Sequence, residues 1–360
     1  MGRSFRSVTL PAPLLTQLLT LLAAIAGGFL FSLLHVPLAW MIGAMFGTAA
    51  LSWTRPVQVP AVARPTALIL IGLSFGQTFS GPVLEALLGE LPVIVIAAFL
   101  SIGAGIATVP IFTRMAGLDA KAGFFSTIPG GVVVMAVLAQ RAGAPIQTVT
   151  LAQTMRVLVV VLIMPPLLTA FAPRGGSGAF LAPHVAVEAL GLAGMIAAGV
   201  LAALVLRRAG LANPWMIGPC LLAISASAFG LLPSGVPHWM VDAAQIGMGA
   251  ALGQRMTLEF LLSSKRLMRA SILSSVALSA ACMAMAVGLA WIAGLPAGAV
   301  MVGMAPGGMP EMGVTAQTLG IAVPLVLGFH LARTLLCSFL LEPIFGLLVR
   351  LRLFTPGPAA

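Results

Sequence analysis

The chain has 360 residues, 60% of them apolar and only 7% charged, with a mean hydropathy of +1.12 and a net charge of +10. A soluble fold covers its exterior with charged side chains, so this composition excludes a soluble globular protein and dictates a polytopic membrane protein. The basic residues fall in short gaps between apolar runs, which fits orientation in a bilayer rather than a nucleic-acid surface.

Taken in chain order, the basic N-terminus MGRSFRS precedes an apolar run at about 14–34, long enough to span and so expected to be a retained first helix rather than a cleaved signal. Further predicted spans lie at about 36–53, 63–80, 92–113, 146–171, 185–206, 213–232, 241–261, 270–293 and 322–349. Each is near the ~20 residues that a helix needs to cross. Two more apolar segments, at about 122–140 and 298–318, carry a helix-breaking phrase. Cys220, Cys282 and Cys337 lie in apolar runs without paired spacing, so neither a disulfide framework nor a zinc signature is expected. The pattern contains no soluble domain and no nucleotide-binding loop.

The breaking phrase occurs twice. PGGVVVMAVLAQRAG begins at Pro129-Gly130-Gly131, and PGGMPEMGVTAQTLG begins at Pro306-Gly307-Gly308; eight of fifteen positions are identical, Met135 with Met312 and Gln140 with Gln317 among them. The prolines are 177 residues apart, and at that offset Gly72, Gly76 and Gln77 match Gly249, Gly253 and Gln254, while Arg156 matches Arg333 and Pro166 matches Pro343. WMIG at Trp40 recurs at Trp215 with a small gap. The chain therefore reads as two copies of one unit, residues 1–175 and 176–360, dividing near PRGGSGA at 173–179.

Loop charge decides the relative orientation of the copies. If both PGG segments cross, the halves are parallel and nine loop cations fall inside against six outside. If each PGG segment dips in and returns, every half has five spans, the second half is inverted, and fourteen loop cations fall inside with only Arg174 outside. The positive-inside rule favours inversion. In hydrocarbon an unpaired backbone N–H or C=O costs several kcal/mol, so Pro-Gly-Gly survives at depth only when buried in protein or facing a cavity. Inverted repeats with broken helices near the midplane are a common transporter architecture.

The candidate binding or coupling residues are Pro129, Gly130, Gly131, Gln140 and Arg156 in the first copy, and Pro306, Gly307, Gly308, Glu311, Gln317, His330 and Arg333 in the second. Glu311, whose counterpart is Val134, is either an acid placed at a helix start or a group that binds a coupling proton or sodium ion. Arg156 and Arg333, within long apolar runs, either clamp broken-helix carbonyls or contact an anionic substrate. Gln153 and His330 sit three residues before them on roughly the same helix face. Gln140 and Gln317 are candidates for hydrogen bonds across the turns, whereas Gln77 and Gln254 read as helix-packing residues. No catalytic group, metal site or cofactor is predicted. His35, His184, His238 and His330 show no ligand spacing.

The paired PGG phrases, the repeated WMIG and the two-copy layout resemble the AbrB family of bacterial inner-membrane proteins, which is defined by a duplicated membrane domain. The resemblance covers nearly the whole chain, and PGGMPEMGVTAQTLG is its most specific part. It implies a multi-pass protein of the bacterial inner membrane. Members are labelled as regulators of gene expression or as ammonia monooxygenases, and neither label follows from these residues. The expectation is an all-α membrane protein of two inverted five-span repeats. It would move a small solute, anionic if an arginine meets it, and influence gene expression indirectly without touching nucleic acid. The rivals are a membrane sensor that binds a signal without transport and, last, a monooxygenase.

Overall fold

The computed structural model describes residues 12–171, 180, 185–211, 213–262 and 264–351. The basic N-terminus, Arg174, His184 and the 173–179 division lie outside the described residues.

Sixteen α-helices and no strand occur among the described residues, so the chain is an all-α polytopic membrane protein. The first eight are α1 (Ala12–Leu33), α2 (Ala39–Ser52), α3 (Ala63–Gly76), α4 (Gly81–Gly89), α5 (Leu91–Ala116), α6 (Ala120–Thr127), α7 (Val132–Arg141) and α8 (Ile146–Phe171). The second eight are α9 (Ala189–Arg208), α10 (Pro214–Ala228), α11 (His238–Gly253), α12 (Leu258–Leu262), α13 (Lys265–Ala293), α14 (Ala297–Met304), α15 (Met309–Thr318) and α16 (Val323–Arg350). The starts of α14, α15 and α16 each lie 177 residues after those of α6, α7 and α8 (297 − 120, 309 − 132 and 323 − 146).

Six helices are long and apolar enough to cross a membrane: α1, α5, α8, α9, α13 and α16. The other four expected crossings are shorter helices, one of them continued past a bend by α4. The helices α2, α3, α10 and α11 have 14, 14, 15 and 16 residues. At ~1.5 Å per residue they reach roughly 21–24 Å, less than the ~30 Å hydrocarbon thickness. Hydropathy over-extends them because apolar residues also fill the flanking turns. Leu38 and Asn213, just before the two WMIG helices, take left-handed conformations at φ 55° and 56° and start those helices abruptly. α3 stops at Gly76 and the chain turns by 87° into α4.

The described helices form two compact units. One holds α1, α2, the start of α3, α11 and α12. Here glycines bring backbones together. A Cβ on Gly27 would strike the Gly43 carbonyl, one on Gly43 would strike that of Gly27, and Gly249 and Gly253 of α11 lie against the Met41 and Met45 carbonyls of α2. The Gln254 side-chain carbonyl accepts from the Val59 N–H at 2.7 Å. Leu14, Leu18, Leu22, Phe29 and Leu33 of α1 stay exposed, an apolar exterior suited to lipid.

The other unit holds the rest of α3, α4 to α10 and α13 to α16, and it repeats that packing with the copies exchanged. Gly72 and Gly76 of α3 lie against the Met216 and Cys220 carbonyls of α10, and the Gln77 side-chain carbonyl accepts from the Val236 N–H at 2.9 Å. Val59 and Val236 are themselves 177 apart. The long helices exchange partners too: α5 packs on α13, α8 on α13 and α16 on α5.

Candidate functional site

Each PGG phrase separates two half-length helices. α6 and α7 have 8 and 10 residues, α14 and α15 the same, so no one of them crosses alone. Asp119 caps α6 by accepting from the Ala122 N–H at 2.9 Å. At the first break Gly131 has φ 89°, a conformation that excludes side chains with a Cβ. At the second, Gly308 has φ −82° and its demand is for space, since the Glu311 carboxylate folds back over it where a Cβ would stand. The repeated methionines serve the breaks in the same way in both copies, Met135 packing over Gly130 and Met312 over Gly307.

A helix that stops at depth leaves carbonyls without N–H partners and a partial negative charge. α8 and α16 supply the donors. Gln153 donates through Nε2 to the carbonyls of Phe125 (2.8 Å), Ser126 (3.2 Å) and Ile128 (3.0 Å). Its counterpart His330 reaches the equivalent carbonyl, Val302, through Nε2 at 3.2 Å. Arg156 Nη1 donates to Ile128 at 2.9 Å, and Arg333 Nη1 donates to the matching Ala305 at 2.8 Å. Arg333 Nη2 also donates to the Gly307 carbonyl at 3.0 Å and to His330 Nδ1 at 2.8 Å. A guanidinium only donates, so His330 accepts at Nδ1 and carries its proton on Nε2, facing Val302.

One bond joins the two breaks. Arg156 Nε donates 2.8 Å across to the Pro306 carbonyl, in the other copy's PGG phrase. Both arginines lie ten residues past their helix starts, about 15 Å along the axis and so about half the hydrocarbon thickness (156 − 146 and 333 − 323). Arg156, Arg333, His330, Gln153 and Glu311 are all buried.

The structure therefore brings Pro129, Gly130, Gly131, Arg156, Pro306, Gly307, Gly308, Glu311, His330 and Arg333 to one pair of facing breaks in one unit. Gln140 and Gln317 do not bridge the turns. Gln140 is exposed in the last turn of α7, and Gln317 donates instead to Ser74 Oγ of α3 at 2.8 Å. Gln77 and Gln254 each hold a backbone N–H in the segment before a helix rather than a facing helix.

Sequence reasoning missed one wall of this site. Ser126, Thr127, Ala152 and Arg156 face Ser271, Ser274, Ser275 and Leu278 of α13 across a narrow polar recess that has no room for a water molecule in this conformation. The signal was available: three serines at i, i+3 and i+4 fall on one face of an apolar helix. Among the described residues no three His, Cys, Asp or Glu side chains come together in a way that could hold a metal ion.

The family model for "Transition state regulatory protein AbrB" matches residues 40–349. The chain is similar to "Uncharacterized protein YhjN" of Bacillus subtilis (strain 168), 28% identical over 359 residues, 93% of this chain and 94% of that protein. It is also similar to "Putative regulator AbrB" of Escherichia coli (strain K12), 26% identical over 309 residues, 84% of this chain and 88% of that protein. A match over most of the sequence, together with two PGG breaks clamped by equivalent arginines, makes the chain a member of the AbrB family.

Proposed function

We propose that this protein is a secondary transporter of a small solute in the bacterial inner membrane, with its site between the two PGG breaks and a proton or sodium ion as coupling partner. The observation that carries the reading is the Arg156–Pro306 bond, which ties one copy's long helix to the other copy's broken one at mid-depth. Two broken helices that meet through a buried cation form a polar locus where lipid-facing helices provide none. A device that only anchored a protein would not need paired breaks, each stabilised by its own Gln or His and its own Arg. The regulatory wording in the family description and in one relative's name is accommodated if the solute moved is itself a signal.

The test is solute flux in proteoliposomes of the purified full chain. Gradient-dependent uptake, lost in Arg156→Met, is the expected result. Tight binding of a solute with no flux under any gradient would make the protein a sensor instead. Glu311→Gln probes coupling. Glu311 sits in the first turn of α15 over its N-cap glycine, so losing the charge should alter stability only by about 1 kcal/mol or less. Uphill uptake and its ion dependence should disappear while counterflow persists; unchanged, ion-dependent uphill uptake would end the coupling role.

A further inference from the structure

We infer that the recess between Arg156 and the serine face of α13, too tight for a water molecule in this conformation, opens to bind a small carboxylate that carries its own hydrogen-bond donor, an amino or hydroxy acid. The inference deepens the transport reading and rests on it for its location.

The two walls of the recess offer opposite chemistry. On α13 the hydroxyl protons are already used. Ser271 Oγ donates to the Leu267 carbonyl at 2.8 Å, and Ser274 and Ser275 donate to the Ser271 carbonyl at 3.2 and 2.6 Å. What these three serines present outward is oxygen lone pairs. Thr127 is committed likewise, to the Gly105 and Gly123 carbonyls. On the facing wall, Ser126 is 3% exposed and its Oγ is a buried atom without a hydrogen-bond partner. Arg156 is 2% exposed and binds carbonyls through Nε and Nη1, while its Nη2 makes no hydrogen bond among the described residues. One wall is thus a cation and a hydroxyl with unused donors, the other a row of acceptors. A simple anion would satisfy only the first wall and a simple cation only the second. A molecule with a carboxylate at one end and an N–H or O–H group beside it satisfies both.

The other copy does not repeat this lining. At the 177 offset Ser271, Ser274 and Ser275 correspond to Ile94, Ala97 and Ala98, Ser126 to Gly303, Thr127 to Met304 and Ala152 to Phe329. The Phe329 ring fills the space beside Gly303. A wall built for packing would be apolar in both copies, as it is in this one, so the serines are the departure that asks for a ligand.

The probes are lactate and alanine, against propionate, which keeps the carboxylate without the donor, and methyl lactate, which keeps the donor without the charge. Binding to the purified full chain is read by titration calorimetry. Lactate or alanine should bind about tenfold or more tightly than propionate, and methyl lactate should bind no better than propionate. The Ser274→Ala, Ser275→Ala double variant should bring lactate or alanine down to the level of propionate. Alanine is the better helix former, so α13 should persist. Ser126→Ala should weaken every carboxylate alike. Propionate binding as tightly as lactate and alanine, a preference untouched by the double variant, or no binding of either acid would overturn the assignment. Binding with this selectivity but without flux would sink transport and keep the site; flux of a solute that ignores these serines would do the reverse.

Discussion

At the level of single residues, the two PGG phrases use the same letters for different reasons. Gly131 is required by its backbone angle, Gly308 by the carboxylate of Glu311 lying against it. Gly131→Ala should therefore destabilise by about 1–3 kcal/mol whatever its neighbours are. Gly308→Ala should be harmful only while Glu311 is long. In a double-mutant cycle read by thermal melting, Gly308→Ala combined with Glu311→Ala should cost clearly less than the sum of the single changes. Additivity would mean that Glu311 does not pack on Gly308. Arg333 holds the Ala305 and Gly307 carbonyls, whereas the Ile128 carbonyl held by Arg156 also accepts from Gln153 and from the Gly130 N–H. Arg333→Met removes the donors of Ala305 and Gly307 and leaves buried oxygens, each loss about 1–3 kcal/mol. Melting of Arg333→Met close to wild type would show that the clamp is dispensable.

At the level of elements, what the sequence revealed follows from rarity. Charge and helix breakers are uncommon in a chain this apolar, so the PGG phrases, Arg156, Arg333 and Glu311 stand out and do converge. The serines of α13 do not, because a serine can satisfy its hydroxyl on its own helix and so blends into apolar sequence. Hydropathy draws the short helices too long because it does not register a left-handed residue such as Leu38 or an 87° bend after Gly76. The role of Gln77 and Gln254 is invisible for another reason: each partner, Val236 and Val59, is more than 150 residues away. Their environments differ, the Val236 bond being partly buried and the Val59 bond exposed. Gln77→Ala should thus lower stability by about 1 kcal/mol or more and exceed Gln254→Ala, whose freed N–H meets solvent or lipid headgroups. Equal losses in chemical unfolding would argue that both sites are equally dry.

For the whole molecule, the proposal requires that the two copies face opposite ways, which the loop cations favour and the exchanged packing of α5, α8, α13 and α16 accommodates. Inversion is what turns two equivalent clamps into one site that either side of the membrane could reach in turn. Arg141 at the end of α7 and Thr318 at the end of α15 are both exposed and 177 residues apart, so they occupy matched positions in the two copies. Single cysteines at these positions, in a chain whose Cys220, Cys282 and Cys337 are replaced by alanine, can be labelled with an impermeant maleimide in cells and in inverted vesicles. The expected result is Arg141→Cys labelled only from the cytoplasm and Thr318→Cys only from the opposite side. Labelling of both from one side would contradict the inverted arrangement and, with it, the proposed site between the two breaks.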